Sequence, residues 1–299
     1  MSGRVCAIVV TYNRAALLGE CLAALAGQTR PPDGIVVVDN AGTDGTRAML
    51  RERYPAVPVL ALPRNVGGAG GFHAGMKWAY GQGYDWLWLM DDDGRPAPDC
   101  LARLLANARS AGGLVPLQQD SGGRLYGIAS WRGEEIDVTA DIAARGDVVD
   151  GNFVFRFVGP LISRTVIERA GLPHKDYFIW FDDLEYALRI QRMGAGAVVA
   201  VPDARFFHDF GGQSREARFL GRRSIRNQQP PWKLYYGARN YLYTVTRTRR
   251  DVRELLLYCR IQLRFLVGEI IFEPDRWQRV GMRLRGFRDG ALGRLGKRV

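Results

Sequence analysis

Cysteine is scarce in this chain, and the four present, Cys6, Cys21, Cys100 and Cys259, include no CxxC pair. That leaves no spacing for a redox dithiol and predicts reduced, mostly buried thiols in a cytosolic protein. Long apolar runs are missing too: none reaches the ~18 residues of a transmembrane helix. The first strand-like segment begins directly after Met1-Ser2-Gly3-Arg4, which leaves too little room for a signal peptide, and no cleavage-site pattern follows. There is no GxxxxGK(S/T) phosphate loop, no internal repeat and no low-complexity stretch. Acidic charge is thin in one region: residues 221–299 hold 19 Lys and Arg against 6 Asp and Glu. With a whole-chain charge of +11, the preceding 220 residues are near neutral. A basic tail of this kind predicts an acidic partner surface, either anionic lipid or nucleic acid.

What is present fits one large α/β domain with an appendage. Val5–Val10, residues 34–40, Val57–Leu62 and Tyr84–Met90 read as strands, with helices after Asn13, through Ala48-Met49-Leu50 and over Gly70–Tyr80. Asn13 is the expected cap of the first helix, whose face carries Leu17, Leu18, Cys21, Leu22 and Leu25. Strands alternating with helices predict a doubly wound, mostly parallel sheet. Leu114–Leu117 and Val154–Val158 are further strand candidates, and residues 118–150 receive no assignment. A helix is expected over Asp182–Met193 and a strand over Ala197–Val201 that leads to His208. Residues 211–231 read as a linker, and Leu234–Val245 and Val252–Ile271 as an arginine-laced amphipathic helix pair.

Four constellations carry chemistry. Asp91-Asp92-Asp93 closes the apolar run Tyr84–Met90, where an α/β sheet binds ligands. Alternation along a strand turns Asp91 and Asp93 one way and Asp92 the other, so two oxygen donors suit Mg²⁺ or Mn²⁺. Asp39-Asn40 closes the second strand, where a carboxylate can accept hydrogen bonds from a nucleobase or ribose; a plain turn is the alternative. Residues 64–72, from Arg64-Asn65 through Gly67 and Gly68 to Phe72, let backbone N–H groups approach an anion just before a helix N-terminus. His73 stands where a dinucleotide fingerprint needs its third glycine. In Trp180-Phe181-Asp182-Asp183-Leu184-Glu185, Asp182 and Glu185 have the spacing of a capping box. Asp183 is then left as the candidate general base, with Trp180 able to stack on a sugar ring. His208 could complete a metal site with Asp91 and Asp93, or be merely structural.

With Val9-Val10-Thr11-Tyr12-Asn13-Arg14, Val37-Val38-Asp39-Asn40, Asp91-Asp92-Asp93 and Asp182-Asp183-Leu184-Glu185 in this order, the chain resembles the family 2 glycosyltransferases. The Arg64–Phe72 stretch, Trp180–Asp183 and His208 look most like the galactofuranosyltransferase subgroup; rhamnosyltransferases share much of this. The resemblance implies a GT-A fold, Rossmann-like, over residues 1–212, with a basic helical extension over 213–299. It implies an inverting displacement on a UDP-sugar, with galactofuranose moved to a glycan or polyprenyl-linked hydroxyl in cell-envelope polysaccharide synthesis. Thr11, Asp39, Arg64, Asn65, Gly67, Gly68, Asp91 and Asp92 would bind the donor. Asp91, Asp93 and His208 would hold Mn²⁺ or Mg²⁺, Asp183 would be the base, and Trp180 and Asp182 would meet the acceptor. No large domain precedes the first strand, which favours addition of one or a few sugars over polymerisation. The expected setting is the cytoplasmic side of the plasma membrane, peripherally bound, with homo-oligomers open. The alternatives are a dTDP-rhamnose-using enzyme and, from another class, a nucleic-acid-binding protein. No nucleic-acid motif supports the last, and the acidic crevice opposes it.

Overall fold

Alternate residues of the first strand serve two different cores. In the computed structural model, β1 (Val5–Thr11) is buried at every position. Cys6, Ile8 and Val10 pack into one apolar cluster, and Val5, Ala7 and Val9 into a second on the other face. That is the period of two expected of a strand sandwiched between helices. The structure describes residues 3–108, 111–126, 149–151, 154–209, 214–219, 222–227, 229–250 and 252–299.

β2 (Gly34–Asp39), β3 (Val59–Ala61) and β4 (Trp86–Asp91) lie parallel to β1. β5 is Arg95–Pro96, β6 Ala111–Gln119, β7 Leu125–Tyr126, β8 Val149–Gly151, β9 Leu161–Ser163 and β10 Ala197–Phe207. Among the described residues they make a ten-stranded sheet in the order β3-β2-β1-β4-β9-β6-β10-β5, with β7 paired to β6 and β8 to β10. β9 runs antiparallel between β4 and β6, while β6 and β10 are parallel. The register sets Thr11 beside Asp39 and Val10 beside Asp91, so three strand ends meet at one edge.

One face of the sheet carries α1 (Ala15–Ala26), α2 (Thr46–Arg53) and α4 (Cys100–Ala106); the other carries α3 (Gly67–Gly81), α5 (Arg164–Ala170) and α6 (Asp182–Arg192). Leu18, Cys21, Leu22 and Leu25 are the buried stripe of α1. Asn13 does not cap that helix. It accepts from Thr43 N–H (2.7 Å), and Asp44 from the next loop accepts from Ala15 N–H (3.2 Å). Two of the α3 glycines serve packing: a Cβ on Gly71 would stand 2.6 Å from Val10, and one on Gly75 would overlap Ile8. Cys6, Cys21 and Cys100 are buried as expected; Cys259 is exposed.

Several expectations need correction. Val154–Val158 is no strand; Phe155 and Phe157 are apolar because they pack against Tyr186. Residues 214–219 and 222–227 form a hairpin, β11–β12, where a linker was expected. Gly211-Gly212 and residues 127–148, within the unassigned 118–150 stretch, lie outside the described residues.

The expected C-terminal helix pair is a group of three. α7 (Pro231–Tyr243) continues as a π-helical turn over Thr244–Arg249, followed by α8 (Val252–Phe272) and α9 (Arg276–Ala291). Its arginines are not all solvated. Arg283 is buried against Glu269 (2.8 Å to both oxygens) and Gln262 (3.0 Å), and Arg279 pairs with Asp275 at 2.6 Å. Gly286 and Gly290 allow α9 to lie directly on the backbone of α7. No helix of the described residues is long and apolar enough to cross a membrane.

Candidate active site

β4 ends at Asp91, and Asp92-Asp93 form the turn that follows. Asp92 N–H donates to Val10 O at 3.1 Å and Gly94 N–H to Asp91 O at 3.1 Å, which fixes that turn against β1. The expected division of the carboxylates holds, although turn geometry rather than strand alternation produces it. Asp91, Asp93 and His208 each offer one ligand atom, and these atoms lie within 4.8 Å of one another. His208 arrives from the end of β10, its N–H donating to Gln119 O (3.0 Å), and its Nε2 lies 3.2 Å from Asp93 Oδ1. Asp92 turns away: Oδ2 accepts from Thr11 Oγ1 (2.7 Å) and Oδ1 from Arg14 (3.3 Å). The same Arg14 nitrogen reaches Asp93 Oδ2 at 3.0 Å.

The electrostatics of the trio are uneven. Burial, with the charges of Asp93, Asp92 and Asp182, pushes Asp91 well above the usual carboxylate range. Burial also raises Asp92, against the opposing pull of Thr11 and Arg14. Burial works to raise Asp93 as well, but the His208 hydrogen bond and the charges of His208 and Arg14 outweigh it and hold Asp93 low. Two crowded carboxylates are hard oxygen donors and the imidazole beside them a borderline nitrogen donor, and a divalent cation such as Mn²⁺ or Mg²⁺ would relieve the repulsion between the carboxylates. The residues fit such an ion.

The nucleotide-side residues are held differently from expectation. Asp39 is fully buried, with Oδ1 accepting from Gly42 N–H (2.8 Å) and Oδ2 paired with Arg47. Both oxygens are thus engaged within the protein. Asn40 instead links β2 to the glycine stretch: its Oδ1 accepts from Val66 N–H (2.9 Å) and its Nδ2 donates to Gly67 O (3.0 Å). Asn65 Oδ1 accepts from Gly67 N–H (2.8 Å), and Ala69 N–H donates to Phe178 O (3.2 Å). Gly67 has φ +75°, and a Cβ there would overlap the Phe178 carbonyl. Three N–H groups of this loop are thus engaged within the protein, and Gly68 is the glycine that faces open space. Arg64 is exposed and borders a recess of about 320 Å³ with Lys175, Lys297 and Arg298.

The second acidic cluster does not form a capping box. α6 starts without a side-chain cap, and Glu185 pairs with Arg189 (2.9 and 3.1 Å) and accepts from Thr248 (3.2 Å). With no capping bond from Asp182, Asp183 is one of three carboxylates in the first turn of α6. Asp183 Oδ1 accepts from Leu184 N–H at 2.7 Å. Burial raises the Asp183 carboxyl above its usual range, against the Leu184 N–H and Arg156. Asp182 is raised further, by burial and by the adjacent Asp183, and its charge also reaches Asp91. Trp180 is half-buried, with Gly237 across its ring, where a Cβ would stand at 3.1 Å, and Lys233 Nζ at 5.9 Å.

Arg14, Arg47 and Asn40 are the residues whose roles sequence reasoning missed. Arg14 follows the Thr11-Tyr12-Asn13 turn, and Arg47 lies in the first turn of the helix after Asp39. Arg47 lies past the acidic end of β2, a placement the sequence shows, whereas Arg14 follows the uncharged end of β1 and only the fold brings it to Asp92 and Asp93.

The edge where β1, β2 and β4 end, with its acidic turn and the interposed antiparallel β9, is the GT-A architecture of a glycosyltransferase. A mannosyltransferase from Pyrobaculum calidifontis, solved in complex with GDP-Man and Mn²⁺, superposes with a TM-score of 0.57 at 19% identity, covering 98% of this chain and 76% of its own. The model of glycosyl transferase family 2 matches residues 6–128. Galactofuranosyltransferase GlfT1 of Mycolicibacterium smegmatis is 30% identical over 94% of this chain and 97% of its own length. GlfT1 of Mycobacterium tuberculosis is 33% identical over 86% of each. The chain belongs to glycosyl transferase family 2.

Proposed function

We propose that this glycosyltransferase moves galactofuranose from UDP-galactofuranose to a hydroxyl of a glycan or polyprenyl-linked acceptor, with inversion and with Mn²⁺ or Mg²⁺. The observation that carries the reading is the convergence of Asp91, Asp93 and His208 at the strand edge, in a chain similar to galactofuranosyltransferases over nearly its whole length. Asp91, Asp93 and His208 would hold the cation, which when bound neutralises charge on the diphosphate leaving group. Arg14, held over the turn by Asp92 and Asp93, adds a fixed positive charge on the same side. Thr11 and Asp92 brace each other beneath the donor. Asn65, Gly67 and Gly68 shape the loop beside it, with Arg64 at its rim. Asp39 contributes by fixing Arg47. Asp183 takes the proton from the acceptor hydroxyl as that oxygen attacks, its raised affinity for protons suiting a base that works near neutral pH. Trp180 and Asp182 line the acceptor side.

Residues 213–299 set the enzyme against an anionic membrane from the cytoplasmic side. Supporting this are the basic excess and the exposed Val252, Leu256, Leu263, Val267 and Ile270 on α8, with Trp277 on α9. Nucleotide release in the presence of a lipid extract tests the donor assignment, using UDP-galactofuranose, UDP-galactopyranose and dTDP-rhamnose with Mn²⁺ and with EDTA. Turnover confined to UDP-galactofuranose and abolished by EDTA supports it; equal turnover of dTDP-rhamnose overturns it.

A further inference from the structure

The segment that leads into Asp183 is bent into a conformation side chains resist, and the C-terminal helices grip it there. Phe178, Trp180 and Phe181 all have positive φ, at +70°, +66° and +65°. None is glycine, so each pays a steric cost that surrounding contacts must offset. Those contacts come from two adjacent, fully buried residues of α7. Asn240 Nδ2 faces the carbonyls of Tyr177 (2.9 Å), Ile179 (2.9 Å) and Trp180 (2.8 Å). Arg239 donates to the carbonyls of Tyr177 (2.7 Å) and Gly296 (2.6 Å), and through Nε to Asn240 Oδ1 (2.8 Å), which orients the amide. Arg239 is wholly buried with no carboxylate among these partners; its charge is compensated by backbone carbonyls.

The grip extends in both directions. On one side Phe178 O accepts from Ala69 N–H (3.2 Å) of α3, and Gly67 makes room for that carbonyl. On the other, Gly237 clears the Trp180 ring, and Gly286 and Gly290 allow α9 to back α7 at the level of Arg239. The loop is therefore wedged between the glycine stretch at the strand edge and a helix of the basic extension.

We propose that Asn240 and Arg239 are positioning residues for glycosyl transfer. By holding Tyr177–Phe181 in this positive-φ path they aim Trp180 and the start of α6 at the crevice, so the C-terminal extension is part of the active site's scaffold. This rests on the reading of Asp183 as the base. On this proposal, groups that shape the acceptor side come in part from Arg239 and Asn240 of the extension.

Asn240→Asp tests it in the full chain. The variant keeps the acceptor for Arg239 and removes the amide donors. With UDP-galactofuranose, Mn²⁺ and a lipid extract, kcat should fall at least ~10-fold, as misplacement of reacting groups does, while the Kd for UDP with Mn²⁺ stays within about two-fold. The acidic limb of its pH profile should also move, because the surroundings of Asp183 change. Gly237→Ala, which presses a methyl group on the Trp180 ring, should show the same split more mildly, and it decides the matter if Asn240→Asp does not fold. Unchanged kcat in the folded variants, or parallel loss of UDP affinity and kcat, overturns the proposal. Asp183→Asn is measured beside them. If it is active, the base reading has failed; if it is inactive while Asn240→Asp and Gly237→Ala are not, only the positioning role has failed.

Discussion

His208 Nε2 stands 3.2 Å from Asp93 Oδ1, so the end of β10 is joined to the turn after β4 across the mouth of the sheet. Two segments far apart in the chain thereby complete one donor set with Asp91, and the metal-dependent reading depends on that meeting.

Removing a ligand should uncouple nucleotide binding from metal. Asp91→Asn and Asp93→Asn are expected to weaken UDP binding in Mn²⁺ by at least ~10-fold, in line with losses seen even for outer partners of metal ligands. In EDTA the variants should bind UDP like the parent. Asp92→Asn keeps all three candidate ligands and should change metal-dependent affinity less. Calorimetric titration checks all three, and parent-like affinity throughout would remove the metal site.

Asp183→Asn should lower kcat by at least ~10²-fold without loss of donor binding, the usual scale for a general base. Burial raises the Asp183 carboxyl, and a base works only when ionised. Activity is therefore present above its folded pKa and lost as pH falls through it. The acidic limb of kcat/KM should lie above the ordinary carboxylate range of about 4. A limb at or below that range would contradict the assignment.

Arg283→Ala should cost about 1–3 kcal/mol, because it removes charged hydrogen bonds to the buried Glu269 carboxylate between α8 and α9. Thermal unfolding should show the loss. A variant as stable as the parent would mean that this pair does not hold the helices together.

Binding to vesicles should require anionic lipid and weaken as salt rises, since the charges are screened. Leu256→Ser with Leu263→Ser, both exposed on α8, should reduce binding without altering stability. Truncation is a poor probe here, because removing α7 also removes Arg239 and Asn240 from the loop before Asp183. Co-sedimentation of the full chain with neutral and anionic vesicles is the measurement. Equal binding to both vesicle types would contradict the charge-based docking.

The sheet was legible where its strands are apolar throughout, as in β1 and β4, because burial on both faces leaves no other composition. β9 was not, since Leu161-Ile162-Ser163 is too short to show a period. α9 was missed because it buries Arg279, Arg283, Gly286, Asp289 and Gly290, which gives it no apolar stripe to read. At the site, carboxylates clustered at a strand end marked the candidate metal donors Asp91 and Asp93. The arginines around it did not show: Arg14, which reaches Asp92 and Asp93, and Arg47, which pairs with Asp39, are ordinary surface arginines by composition, and only the fold aims them. The same holds for Asn240, whose amide faces three carbonyls some sixty positions earlier in the chain.

Direct attack by an acceptor hydroxyl that Asp183 deprotonates would invert the anomeric centre, and the stereochemistry of the product tests this most directly. NMR of the glycoside formed from UDP-galactofuranose with Mn²⁺ should show an anomeric centre opposite in configuration to the donor's. Retained configuration, or transfer of galactofuranose at the parent rate by Asp183→Asn, would contradict it.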